Sequence, residues 1–175
     1  MKRVNLGQIW VETAIYTLIG LTIIGIVLSI ITPEIQKIKE RTIISQTNEA
    51  LTQLNNEIQK VGQTEGNVKI IDFKITKGKL DIISSDKKIV YTLENTKLEF
   101  SEEGQEIKQG DIILKTEKVG KRFNVILELR YPNLDITLNN QIKSQTLHSS
   151  PNPYKIKIEN VGDNSAKLHL DFSLV

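Results

Sequence analysis

The chain has 175 residues, no cysteine and a formal net charge of +2. That is room for one domain with an appendage, and it excludes a disulfide framework, a thiolate metal site and a cysteine nucleophile. Lys2 and Arg3 account for the positive balance, so the chain after Gly7 is formally neutral; with no basic stripe interleaved with aromatics, nothing points to nucleic-acid binding.

In chain order, the first element is the apolar run inside VNLGQIWVETAIYTLIGLTIIGIVLSIITP. Ala14 to Ile31 is eighteen residues without a charge. From Ile9 to Ile31 it reaches the roughly 20 residues that a membrane span needs, if Glu12 is tolerated near the edge, where an ionised side chain costs less than at the centre. An ordinary secretory signal has a shorter apolar stretch and a small-x-small cleavage site, and Thr32-Pro33-Glu34-Ile35 is not one. A soluble core helix keeps a polar face, and none exists here. Lys2 and Arg3 precede the run and no basic residue follows until Lys37, which predicts the N-terminus inside and the remainder outside. Gly20 and Gly25 each weaken a helix by about 1 kcal/mol relative to alanine. They are common in membrane helices, and they also permit close packing or local unwinding.

Thr32-Pro33-Glu34 reads as a new helix start, with threonine as N-cap and proline at the first position, or as a kink in one continuous helix. Beyond it the pattern is amphipathic. Ile35 and Ile38 open it, Ile44, Leu51 and Ile58 recur every seven residues, and Leu54 and Val61 take the companion positions. Gly62 is the expected stop. The lower half of this stalk is expected to pack with other chains and the upper half to dock on the following domain; a plain coiled-coil linker is the alternative.

After Gln63-Thr64-Glu65-Gly66 the period changes to two. Ile71, Phe73 and Ile75; Ile89, Tyr91 and Leu93; Phe123, Val125, Leu127, Leu129 and Tyr131; and Leu168, Leu170, Phe172 and Leu174 each alternate with mostly polar residues. Such alternation predicts strands with one buried and one wet face, hence an antiparallel sandwich or roll of eight or nine strands. Turn signals separate them: Lys77-Gly78, Ser85-Asp86, Glu103-Gly104, Val119-Gly120-Lys121, Asn139-Asn140 and Gly162-Asp163-Asn164. Ser149-Ser150-Pro151-Asn152-Pro153 reads as a loop. The predicted class is α+β, a long N-terminal hydrophobic and amphipathic helix followed by an all-β antiparallel sandwich-like head.

Chemistry in the head is sparse. His169 is expected on a solvated strand face and His148 before the proline loop, and neither falls in a recognisable order with a serine and an acid. Carboxylates are scattered singly, and Glu102-Glu103 lacks the oxygen-rich spacing of a calcium loop. No enzyme, metal or cofactor is predicted.

Gly7, then Gln8-Ile9-Trp10-Val11-Glu12, then a long apolar helix, resembles the class III signal of type IV prepilins in its archaeal style. The resemblance covers about the first third of the chain. It implies that a membrane prepilin peptidase cuts after Gly7, that Gln8 becomes the N-terminus, that Glu12 serves filament assembly by meeting a neighbour's new amine, and that Pro33 is a kink in one continuous helix. Leu6 stands where the family usually has a basic residue.

The implied organisation is a leader at 1–7, a membrane and filament-core helix at 8–33, a stalk helix at 34–62 and an extracellular β domain at 63–175. The implied function is a structural subunit of a surface filament, partnered by identical or related pilin subunits, by the membrane before assembly, and by the assembly platform and its ATPase. Two rivals remain: an uncleaved, membrane-anchored β binding domain, and a minor pilin or pseudopilin of a secretion machine.

Overall fold

The computed structural model describes residues 6–164 and 167–175; of the predicted leader, residues 1–5 lie outside them. The chain divides into two compact units, Met1–Lys39 and Glu40–Val175.

One helix, α1, is assigned from Leu6 to Gly62. Pro33 lies inside it, so the helical assignment continues where a fresh start was the alternative. Thr32 Oγ1 donates to the Leu28 carbonyl at 2.7 Å, folding back on its own turn instead of capping a new one. Ile35 and Ile38, in the first unit, are exposed.

In the second unit the heptad positions of α1 do different work. Ile44, Leu51, Leu54, Ile58 and Val61 are all buried and join one hydrophobic cluster with the inner faces of the strands. The 40–62 stretch is therefore part of the head's core. An amphipathic helix of this length owes most of its stability to such packing.

Ten strands follow: β1 (Val68–Phe73), β2 (Lys79–Ile83), β3 (Lys88–Thr96), β4 (Glu106–Gln109), β5 (Ile112–Val119), β6 (Arg122–Arg130), β7 (Leu134–Leu138), β8 (Ser144–His148), β9 (Tyr154–Asn164) and β10 (Lys167–Leu174). They form a four-stranded sheet in the order β1-β9-β10-β7 and a six-stranded sheet in the order β4-β5-β6-β3-β2-β8. Alternation works as expected on the long strands. Ile89, Tyr91 and Leu93 face inward opposite Leu129, Leu127 and Val125.

One strand pair departs from the antiparallel arrangement expected of the head. β7 runs parallel to β10, with Leu134 opposite Leu168 and Leu138 opposite Phe172. Parallel neighbours need a crossover instead of a tight turn, and here β8 and β9 lie between the two strands in sequence.

The predicted turn at Gly162-Asp163-Asn164 is also corrected, since β9 continues through Asn164. Gly162 instead marks a bulge. It stands opposite His169 and Asn160 opposite Leu170, leaving Val161 as the extra residue, and Gly162 takes φ +97°, the left-handed backbone that glycine supplies at such bulges.

The two-residue turn at Asn139-Asn140 is as read, with φ of 52° and 59° between Leu138 and Gln141, which exchange backbone bonds. Two consecutive left-handed residues fit a type I′ turn, and asparagine tolerates them.

Candidate functional site

The first unit carries every residue singled out for function. Among the described residues it offers one helix long and apolar enough to cross a membrane, with none of its apolar window buried. Leu18, Leu21, Ile23, Ile26, Leu28 and Ile30 are all more than half exposed. Contiguous apolar surface of this extent is rare on a soluble monomer, and the segment could anchor the chain in a membrane.

Its hydroxyl groups are suited to that surrounding. Thr17 Oγ1 donates to the Thr13 carbonyl, Thr22 Oγ1 to that of Leu18, and Ser29 Oγ to that of Gly25, at 2.7–2.8 Å. These bonds return each polar group to its own helix, so none adds an unsatisfied donor in a dry environment. A Cβ added at Gly20 or Gly25 would meet nothing within 4 Å. Nothing in the fold of this chain therefore requires glycine at either position.

Glu12 lies on this helix with its side chain exposed, four residues from Tyr16 and two from Trp10, which are 72% and 77% exposed. Large amphipathic rings beside a carboxylate at one end of an apolar run match the headgroup level of a bilayer. The Gly7–Gln8 bond is in the first turn of α1, and the side chains at 6–9 are outside the described set. Pro33 stands 21 residues beyond Glu12, at the other end of the apolar run. The sites read from sequence thus bracket the apolar segment and are not gathered into a pocket.

The head's buried polar groups were missed by sequence reading. Glu40, 1% exposed, accepts from Thr96 Oγ1 at 2.5 Å and from the Lys97 amide at 3.1 Å, and pairs with Lys77 Nζ at 3.1 Å. Thr96 reaches it because β3 bulges after Leu93: Asn95 adopts φ 56° and the pairing jumps from Leu93–Val125 to Thr96–Phe123. The extra residue reverses the in–out parity and turns Thr96 inward. Asn160 Nδ2 lies 2.9–3.3 Å from the carbonyls of Val61, Gly62 and Thr64, satisfying acceptors that a helix C-terminus leaves open. Tyr131 donates to Asn55 Oδ1 at 2.9 Å, and Asn55 donates to Asp111 Oδ2 at 2.8 Å.

One cluster has the composition of a catalytic set. Thr137 Oγ1 lies 2.9 Å from His169 Nε2 and 2.6 Å from Asp171 Oδ1. Asp171 was expected on a wet strand face but is 7% exposed, because the Asn140 amide also closes on it at 2.6 Å. His169, expected in solvent, is half-buried beside Thr137. With the hydroxyl proton given to Asp171, the imidazole must donate to Thr137 and cannot act as its base. The cluster pins the Asn139-Asn140 turn onto β10. Among the described residues no group of three or more His, Asp or Glu could hold a metal ion.

No family model matches this chain, and neither the curated proteins nor the solved structures contain a significant match.

Proposed function

We propose that the protein is the structural subunit of a type IV pilus-like surface filament. It is inserted with its N-terminus inside, cleaved after Gly7, and assembled through the apolar helix with the β heads outside. The observation that supports this reading most is the uncharged helix from Ala14 to Ile31 with its large apolar side chains exposed, entered through Glu12 five positions after Gly7. At about 25 cal/mol per Å² of apolar surface buried, lateral packing of such helices supplies a large drive for assembly once they leave lipid. Head-to-tail repetition by a screw operation gives an open filament. In that dry core Glu12 acts as a register pin, because a carboxylate left without a cation penalises the wrong stagger. The head, by this proposal, is structural and not catalytic.

Mass spectrometry of the first peptide of the protein recovered from membranes or the cell surface tests processing. A chain starting at Gln8 supports the proposal. A chain starting at Met1 overturns it in favour of an anchored β domain displayed outside the cell. Glu12→Ala separates the assembly role from processing: cleavage continues while filaments are lost, and unchanged filament number and length would remove the register pin.

A further inference from the structure

We propose that β4 is a homotypic docking edge, through which the heads of two copies join their six-stranded sheets into one. β4 is an outer strand of that sheet, bonded only to β5, and all four of its residues are exposed. Strand edges invite pairing, and proteins normally spoil them with charge, proline or bulges. The stretch Gln105-Glu106-Ile107-Lys108-Gln109 does not spoil the edge against itself. Read antiparallel to its own copy about Ile107, it places Gln105 opposite Gln109, Glu106 opposite Lys108, and Ile107 opposite Ile107.

Face and backbone geometry select this register. A two-fold axis normal to a continuous sheet pairs only residues whose side chains share a face, so the axis must pass through a residue. Centred on Glu106 it would oppose two glutamates, and centred on Lys108 two lysines, both destabilising. Centred on Ile107 it creates two Glu–Lys pairs and an apolar contact.

Gln109 and Ile112 close the two-residue turn at Gly110-Asp111, with Gly110 at φ 62°. They form the hydrogen-bonded pair of that turn, so by alternation Glu106 and Lys108 aim their own N–H and C=O at the open side. In the Ile107-centred register these groups bond each other across the axis. Ile107, 40% exposed, becomes a non-hydrogen-bonded pair, the kind whose side chains approach most closely. The left-handed glycines Gly104 and Gly110 end the ladder at both ends. Arg130, 3.1 Å from Glu106 Oε1 and 2.9 Å from Glu128 Oε2, sits beside the new pair and limits carboxylate repulsion there. The contact is small, so it acts between heads already held close in a membrane or an array. It depends on neither cleavage nor filament formation.

The absence of cysteine gives a direct test in the full-length chain held in detergent micelles. Under mild oxidation Ile107→Cys is expected to give a disulfide-linked dimer at least about tenfold faster than Ser144→Cys, placed on the opposite edge of the same sheet. Adding Glu106→Lys to Ile107→Cys should slow the cross-link by about tenfold, and so should adding Lys108→Glu. Adding both restores the Glu–Lys pairing and should restore the rate. Equal rates at positions 107 and 144 would overturn the proposal, as would a charge-swapped chain no faster than its single variants, since loss of a merely structural charge is not repaired by inverting its partner.

Discussion

The two ends of α1 obey opposite rules. Between Ala14 and Ile31 the helix carries no charge on any face and its apolar side chains are exposed; between Glu40 and Gly62 one stripe is apolar and buried in the head, while the other faces carry charge and amides. The same secondary structure thus carries two different surfaces. Helical geometry alone does not decide where a helix goes; the angular distribution of its apolar side chains does. The lower segment buries none of its apolar window within the described residues, and its length and composition suit a membrane span. The upper segment is complete within its own chain.

Single substitutions should widen that contrast. Leu51 is fully buried, so Leu51→Ala is expected to cost the head about 2–5 kcal/mol through lost burial and a cavity. Leu21→Ala, at a site 63% exposed, should leave head unfolding unchanged. Denaturant titration of the micelle-held chain, followed by circular dichroism, compares the two, and equal effects would break the division into two units.

The next largest effect is alkaline. Burial pushes the Tyr91 hydroxyl up to about 12 from its ordinary 10.0, and burial also raises that of Tyr131. Below pH 10 both states are neutral and the contribution is complete. Above it the unfolded chain ionises first, so stability falls until the folded group titrates. For Tyr91 this amounts to about 2–3 kcal/mol lost between roughly pH 10 and 12. Tyr91→Phe should flatten part of that decline, while lowering stability at pH 7 because its bond to the Lys77 carbonyl disappears.

Glu40→Ala should cost about 1–3 kcal/mol, since it leaves the Thr96 hydroxyl and the Lys97 amide without their acceptor; hydrogen exchange at Lys97 should rise with it. Asn160→Ala is expected to cost about 1 kcal/mol. Its effect should concentrate at Val61–Thr64, as faster exchange in the last turn of α1, and uniform loosening of the head would show that the cap is not local.

How much of this was legible in advance depended on the range of the interaction. The apolar run, the heptad of Ile44, Leu51 and Ile58, and the period-two strands announce themselves because burial repeats at the period of the local backbone. The same regularity misled at the bulges. Extending the alternation of β3 puts Thr96 on the wet face, and extending that of β10 puts Asp171 there. One extra residue reversed the first, and a neighbouring turn closed over the second. The turn read at Gly162 failed because a left-handed glycine serves a bulge as well as a reversal.

By itself, then, the sequence determined the class, α+β: a membrane-length helix, an amphipathic continuation, and strands with one dry face. These follow from side-chain spacing, and solvent selects them locally. Only tertiary structure decided that β7 lies parallel to β10, that β1 closes on β9 from the far end of the chain, and that Glu40 and Asn160 are the buried anchors of the helix. Such pairings join residues tens of positions apart, and the free energy that selects them exists only once both partners are present in the packed head.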